Sequence, residues 1–396
     1  MRLPVIPERP RAWGALLVLC SIAAGSAARA EDPPFSDADI LGPDRPRFAI
    51  QALNLRFTHF DQTGSGYQSR AGPLLGAGSE QLTVEQPQIE VVAKQGDSLT
   101  HRVWLPVDIV SAASPDAVDV VSSSSRLNEA GSIDWTATYQ ADRATSLFSR
   151  VGFHSEENYR SWNVGFGATR GFAQDNTVVS ASLNQVIDWF DHYELDGQHT
   201  GHSSRSATNG NLGVTQLLSP TTIAHANYGL TVQAGELSNT WSSVPLATGD
   251  RGREVLPQER QRHALVIRLA QWLPWNGALK GFYRFYGDDW GIRAHTAEIE
   301  LHQRISYFSS LRFTYRVHTQ TSADFFTTLG SPGIAKRTAD SDLAELDAHT
   351  FGVKGAFDIP LASFARGLHF DFGIDRYFRS NDLRVIVYSC GLGFLF

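Results

Sequence analysis

The chain ends with residues 383–396, LRVIVYSCGLGFLF, and this stretch decides the fold. From Tyr388 onward every second residue is apolar, whereas Ser389, Gly391 and Gly393 between them are small. Successive side chains of a β-strand point to opposite faces, so this period of two predicts a strand with one apolar face. Soluble sandwich domains rarely end on an apolar residue such as Phe396 on such a face, which indicates that the face contacts lipid.

The same stretch resembles the C-terminal signal that delivers bacterial outer-membrane barrels to their insertion machinery. That signal has a glycine followed by aromatic residues at the third and fifth positions after it. In this chain those positions are Gly391, Phe394 and Phe396. The resemblance implies a location in the bacterial outer membrane, with outer-membrane lipid and the barrel-assembly machinery as partners.

The N-terminal residues 1–30 have the features of a secretory signal peptide. Arginines precede an apolar run at 13–24, and small residues allow cleavage near Ala30. The run is shorter than the ~20 apolar residues that a membrane-spanning helix needs. Residues 31–46 are rich in proline and acidic residues, which predicts a flexible periplasmic segment. We assign residues 47–396 to a single domain.

Composition limits the functions of the chain. The formal net charge is −7, and removal of residues 1–30 takes away more arginine than glutamate, so the remainder is more acidic still. This balance argues against nucleic-acid binding. Only Cys390 remains after cleavage, which excludes an internal disulfide and a thiolate metal site. The sequence contains no cofactor motif, and we expect no cofactor.

Segments of alternating polarity follow one another through the predicted domain, each close to or above the roughly 9–11 residues of a tilted membrane-spanning strand. They are 47–60, 82–95, 98–110, 131–140, 145–154, 161–172, 177–190, 207–218, 221–235, 262–273, 278–287, 290–305, 310–320, 346–358, 366–378 and 383–396. Only a closed barrel satisfies every backbone group of such strands in lipid. The sequence therefore predicts an all-β fold, a transmembrane up-and-down antiparallel β-barrel of about 16 strands.

The lengths of the connections predict two different ends for this barrel. Connections after even-numbered segments are mostly tight, as at Gly96-Asp97 and Ser219-Pro220. The long connections all follow odd-numbered segments, namely 61–81, 111–130, 191–206, 236–261 and 321–345. This asymmetry is typical of outer-membrane barrels, which have long external loops and short periplasmic turns.

Charged residues concentrate on the polar face of three consecutive segments in the C-terminal half. If the apolar face is outward, the lumen face carries Lys280, Arg284, Glu298, Glu300, His302, Arg312 and Arg316. Opposite charges on neighbouring strands can form cross-strand ion pairs. Two interpretations are open: a charge-selective wall of a water-filled channel, or a salt-bridge network that fills a narrow barrel.

A duplicated segment supplies a second set of candidate residues. The pattern of Asp108 to Ser114 recurs eleven residues later from Asp119 to Ser125. A loop folded into the barrel mouth would present Asp108, Ser111, Asp119 and Ser122 to a ligand or cation. The alternative is that these side chains bond nearby backbone and hold an irregular loop in shape.

A third set lies on one predicted external loop and consists of His192, Asp196, His199 and His202. Imidazole and carboxylate ligands suit zinc. The spacing lacks the helical repeat of many zinc motifs, and polar barrel loops often collect such residues without a metal.

Three segments resemble an uncharacterised bacterial family, domain of unknown function 3570. They are Asp108 to Ser125, Tyr283 to Thr296 and Tyr315 to Phe326. The family has no established activity to transfer to this chain. Genes of the family often lie near those for thioredoxin-like and flavin-transfer proteins, so the resemblance implies a periplasmic redox protein as a partner.

Three classes of function are compatible with these patterns. We expect a porin-like channel or transport protein for small polar or charged solutes, because the charged face belongs to a barrel of channel size. A non-conducting scaffold for a periplasmic or surface redox partner is the first alternative. A barrel enzyme is the second, although no nucleophile motif of the hydrolase kind is present and we name no catalytic residue.

Overall fold

The computed structural model describes residues 48–64, 81–112, 127–194, 198–239, 242–331, 333–361 and 365–396. The predicted signal peptide and periplasmic segment lie outside these ranges. No helix in the described ranges is long and apolar enough to cross a membrane.

The described chain forms a closed antiparallel barrel of sixteen strands, which confirms the predicted fold. Two short strands, β10 (Ser243–Pro245) and β11 (Arg251–Arg253), form a separate ribbon. The barrel strands are β1 (Phe48–Thr63), β2 (Leu82–Gln95), β3 (Leu99–Ala112), β4 (Leu127–Gln140), β5 (Thr145–Glu156), β6 (Tyr159–Phe172), β7 (Thr177–Tyr193), β8 (His199–Ser219), β9 (Thr222–Gly235), β12 (Glu259–Leu273), β13 (Gly277–Asp288), β14 (Arg293–Arg304), β15 (Ser309–Gln320), β16 (Leu346–Pro360), β17 (Gly367–Arg379) and β18 (Arg384–Leu395).

Each barrel strand pairs with the next barrel strand along the chain, and β18 closes the ring on β1. At this seam Arg56 lies opposite Gly391 and Ala52 lies opposite Leu395. The backbone N–H of Phe396 donates to the Gln51 carbonyl at 2.9 Å, which continues the pairing to the last residue. The ring leaves no strand edge of the sheet unpaired, as lipid requires.

Side chains alternate between an apolar outer face and a polar lumen. Phe166, Leu183 and Leu212 point outward and are exposed, whereas Asp134 and Asp371 point inward and are buried. An exposed apolar band on the outside of a closed barrel is the surface that a membrane covers.

The two ends of the barrel differ as predicted. We call the end with connections 64–81, 113–126, 236–258 and 321–345 the loop end, and the opposite end, where every connection has six residues or fewer, the turn end.

The predicted loop 191–206 is wrong in length, because β8 begins at His199 and pairs with β7 nearly to the tip of the hairpin. Outside the membrane both faces of a hairpin contact water, so its sequence loses the alternation that marks a strand.

Candidate functional site

Most of the predicted wall residues of β13, β14 and β15 form cross-strand ion pairs in the lumen. Glu300 accepts a hydrogen bond from the Lys280 ammonium at 2.7 Å and lies 3.6 Å from the Arg312 guanidinium. Glu298 accepts a hydrogen bond from Nε of Arg316 at 2.7 Å. Both carboxylates belong to β14, so this strand is the acidic member between two basic neighbours. His302 lies on the same face and opposite Arg312 in the register.

The two kinds of charge differ in their access to the lumen. The side chains of Lys280 and Arg316 are 52% and 51% exposed, whereas those of Glu300 and Glu298 are 12% and 18% exposed. Short carboxylate side chains stay against the wall, and longer basic side chains extend over them. The surface that a solute meets on these strands is therefore basic, although each carboxylate is paired.

A second cluster lies on the neighbouring strands and was not among the predicted wall residues. Asp371 accepts hydrogen bonds from Nη2 of Arg56 at 2.9 Å and pairs with Nζ of Lys354 at 2.7 Å. His369 lies 3.3 Å from the same carboxylate, whose side chain is only 4% exposed. Gly391 on the strand between Arg56 and Asp371 leaves room for this cluster, since a Cβ there would lie 2.6 Å from Oδ2 of Asp371.

The same arrangement continues around the other half of the barrel. Buried carboxylates pair with more exposed arginines on adjacent strands. The pairs are Glu90 with Arg102, Asp134 with Arg150, and Asp188 with Arg205. On strands distributed around the ring, exposed basic side chains therefore cover buried carboxylates on the lumen surface.

Arg284 differs from the other basic wall residues. Its guanidinium lies 5.2 Å from the centre of the Tyr286 ring, and among the described residues no carboxylate forms an ion pair with it. Together with Arg316 and His318 it lines a cavity of about 300 Å³ on the lumen face. A cation without a carboxylate partner on a lumen surface attracts anions.

The loop end carries two long connections that lock together, and we call residues 236–258 and 321–345 the cap. The N–H of Val255 donates to the Arg337 carbonyl at 2.9 Å, and the N–H of Arg337 donates to the Val255 carbonyl at the same distance. Leu246 pairs with Gly330 in a second bridge between the two connections. Leu237, Trp290, Ile292, Ala323 and Leu343 form an apolar core that fixes the cap to the β13–β14 hairpin.

The cap reaches lumen-facing side chains on two distant strands. Arg253 of β11 hydrogen-bonds to His192 of β7 and to Glu194 at 3.1 Å. On the other side, Arg379 of β17 donates to Ser341 at 2.8 Å and pairs with Asp342 at 2.5 Å. Strands β7 and β17 are eight positions apart in the ring of sixteen, so the described cap spans half of the rim.

A buried carboxyl group, that of Glu254, holds the two connections of the cap together. Glu254 accepts hydrogen bonds from the Thr338 hydroxyl at 2.5 Å and from the Asn239 N–H at 2.9 Å, and it joins the two connections. Burial raises the pKa of Glu254 to about 7. Burial also raises the pKa of Asp340 to about 6. The cap is therefore a part of the molecule whose charge changes near neutral pH.

The candidate mouth-loop residues are only partly described. Asp108 lies in β3 and accepts a hydrogen bond from the Gln86 amide at 2.6 Å. Ser111 also belongs to β3, whereas Asp119 and Ser122 lie outside the described residues. A shared site for the four stays a prediction.

The candidate metal residues separate onto two faces of the β7–β8 hairpin. His192 faces the lumen and bonds to the cap through Arg253. His199 and His202 lie on the outer face with Asp191, and the ligand atoms of these three are within 4.8 Å of one another. Asp196 lies outside the described residues. Asp191 was not among the predicted ligands, because a loop assignment gives no register and its position opposite His202 could not be inferred.

The terminal residues predicted as an insertion signal lie at the seam of the barrel. Phe394 is opposite Leu53 of β1 and Leu368 of β17 in the register. Gly391 lies between Arg56 and Asp371 and leaves room for their ion pair to pass over β18. The signalling role of Gly391, Phe394 and Phe396 stays a prediction.

A closed antiparallel barrel with an apolar exterior and a charged lumen defines a transmembrane β-barrel protein. The family described as "Protein of unknown function (DUF3570)" matches residues 123–388, and the chain belongs to this family. The resemblance of the sequence to that family is thereby confirmed. No curated protein matches the chain.

Several solved structures are similar to this barrel at low sequence identity. A bacterial polysaccharide outer membrane secretin is 9% identical, with a TM-score of 0.46, and the match covers 87% of this chain and 98% of that one. A BenF-like porin from Pseudomonas fluorescens Pf-5 is 8% identical, with a TM-score of 0.46 and coverage of 88% and 99%. The CymD monoaromatic hydrocarbon channel is 12% identical, with a TM-score of 0.40 and coverage of 87% and 89%.

Proposed function

We propose that the protein is an outer-membrane channel for small solutes that favours anions. The observation that carries the proposal is the layering of charge in the lumen, where the basic side chains are about three to four times as exposed as the carboxylates beneath them. A solute in the lumen lies closer to the bases than to the acids, and Coulomb energy falls with distance. The lumen therefore attracts anions, although Glu298 and Glu300 each have a basic partner.

Exposure of the wall also supports a conducting lumen over a filled one. Side chains that fill a narrow barrel lose contact with water. Lys280 and Arg316 instead keep half of their surface exposed while facing inward. Arg284 and Arg316 border a cavity that is large enough for a small carboxylate or phosphate.

The cap supplies a constriction at the loop end, which in an outer membrane is the external end. It covers the half of the rim that runs from β7 to β17 and contacts lumen-facing side chains at both limits. A solute from outside then enters beside the cap or after the cap has moved. Our proposal is that access is controlled at the external mouth and that charge selection occurs in the lumen below it.

The test is single-channel recording of the purified protein in a planar bilayer with a salt gradient. The wild type is expected to pass anions in preference to cations. Arg284→Ala combined with Arg316→Ala should lower the anion-to-cation permeability ratio by about three- to tenfold. The double variant removes two positive charges that face a permeating ion, and the salt in the lumen screens those charges only in part. Loss of Arg316 also leaves Glu298 without its hydrogen-bonded partner, which adds to the shift.

A matched control removes two arginines from the outer face. Arg376 and Arg384 lie on β17 and β18 on the side of the outward Phe372 and Tyr388. Arg376→Ala with Arg384→Ala changes the net charge by the same amount and should leave the permeability ratio unchanged. Wild-type selectivity in the lumen variant, together with a clear loss of thermal stability, would favour the filled barrel. Absence of conductance in the wild type would favour the scaffold for a redox partner.

A further inference from the structure

We propose that the outer face of the β7–β8 hairpin holds a site for one divalent transition-metal ion of the zinc class, with Asp191, His199 and His202 as ligands. The site lies beyond the lumen at the loop end. It is independent of conduction, because none of the three side chains faces the lumen.

A β-bulge brings the two histidines to one face. Residues three apart on a regular strand point to opposite faces. In β8, however, Gly201 is opposite His192 and His199 is opposite Tyr193. Thr200 is therefore an extra residue, with no residue of β7 opposite it in the register. Gly201 has a φ of +134°, which suits glycine and not other residues. Bulges of this kind redirect side chains next to functional sites, and here the bulge aligns His199 with His202.

The distances fit a tetrahedral ion. Oδ1 of Asp191 lies 2.7 Å from Nδ1 of His202 and 3.7 Å from Nε2 of His199. Metal bonds of about 2.0 Å in a tetrahedron give ligand–ligand distances of about 3.3 Å. The distance from Asp191 to His202 is shorter than this value, and the distance from Asp191 to His199 is longer. The ligand atoms of all three residues lie within 4.8 Å of one another, so side-chain movements of about 1–1.5 Å or less place them on one ion.

The surroundings leave the site accessible and partly ordered. The His202 side chain is exposed and that of His199 is half-exposed. The ring of Tyr193 lies edge-on to His199 with the centroids 5.2 Å apart, which limits rotation of the imidazole. The fourth position faces solvent and would hold water or an external ligand.

The donor set selects the class of metal. Two imidazoles and one carboxylate suit zinc and neighbouring first-row ions, whereas calcium and magnesium prefer oxygen ligands throughout. A bound ion would join β7 to β8 near the tip of their hairpin. We infer that it fixes this tip above the membrane surface.

The experiment titrates the full-length barrel in detergent, prepared without a histidine tag, with Zn²⁺ against a chromogenic chelator. Co²⁺ is the spectroscopic probe, because tetrahedral coordination gives it strong visible absorption. We expect one ion per chain, and loss of affinity by more than about tenfold in His199→Ala and in His202→Ala. The control His263→Ala with His349→Ala removes two outward-facing histidines that instead bond to Tyr228 and Tyr315, and it should bind as the wild type does.

A pair of glycine variants tests the bulge with all ligands retained. Gly201→Ala disfavours the backbone conformation of the bulge, whereas Gly210→Ala in the same strand has open space and no unusual φ. Weaker binding in the first variant alone supports the proposal, and equal binding in both would overturn the role of the bulge. A wild type that binds no Zn²⁺, or a His199→Ala with His202→Ala double variant that binds as tightly as the wild type, would overturn the site itself.

Discussion

Replacement of Glu254 by glutamine should remove most of the pH dependence of the cap. The pKa of Glu254 is raised from an ordinary 4.5 to about 7 by burial, with Asp340 and Glu236 acting in the same direction. In a loosened cap the carboxyl is hydrated and has its ordinary pKa. The closed cap therefore binds more protons than the loosened cap between about pH 4.5 and pH 7.

This difference in bound protons determines how the free energy that keeps the cap closed changes with pH. Because the closed form holds the extra proton, the free energy that keeps the cap closed is greatest below about pH 4.5 and falls as pH rises to about 7. A pKa change from 4.5 to about 7 corresponds to roughly 3 kcal/mol, which is about two orders of magnitude in the ratio of closed to open forms. Asp340, with its pKa raised to about 6, adds in the same direction at the lower end of this range.

The assay is single-channel recording at pH 5 and pH 8, with trypsin cleavage after the exposed Lys336 as a second measure of cap opening. The wild type should be more open and more readily cleaved at pH 8. Glu254→Gln should stay closed at both pH values, since the amide can donate to the Thr338 hydroxyl and still accept from the Asn239 N–H. Glu345→Gln, which changes an exposed carboxyl of the cap, is the control and should behave as the wild type. A Glu254→Gln barrel that retains the full pH dependence would refute the reasoning.

Two further predictions concern the seam of the barrel. Gly391→Ala should lower the thermal stability, by about 1–3 kcal/mol, because its Cβ would lie 2.6 Å from Oδ2 of Asp371. Gly281→Ala is the control, since the space around that glycine is open, and an equal midpoint of heat-modified gel migration for the two variants would contradict the account. Phe396→Ser, or deletion of residues 394–396, should reduce the amount of barrel recovered in the outer membrane, because the closing strand loses lipid-facing aromatics. Normal yields in membrane fractions would show that these aromatics are dispensable for assembly.

The barrel strands were predictable because lipid and lumen impose alternation on every residue between the membrane surfaces. All sixteen predicted segments correspond to barrel strands. The start of β8 was missed by several residues, since the chain from His199 onward extends beyond the membrane and carries polar residues on both faces. Without a register for this segment, the position of Asp191 opposite His202 could not be inferred.

Within the lumen, pairs on adjacent strands could be inferred once the outward face was known. Lys280 with Glu300 and Glu298 with Arg316 required only the alternation and the order of strands. The pair of Arg56 with Asp371 required the register across the closure of the ring, which no local pattern contains. The cap was not predictable, because residues 236–258 and 321–345 have no periodicity and meet only in three dimensions.

The ion pair of Arg56 with Asp371 can form only when the first and the last strands of the barrel are both in place. Its partners are 315 positions apart in the sequence and are linked over the top of β18 at Gly391. Every hairpin of the barrel can form from local contacts, whereas this contact requires the first and the last strands together. A truncated chain would keep its hairpins and expose two unpaired strand edges. The ion pair is therefore present only in a closed ring. We expect a barrel that lacks β1 or β18 to be cleaved by proteases more readily than the closed ring.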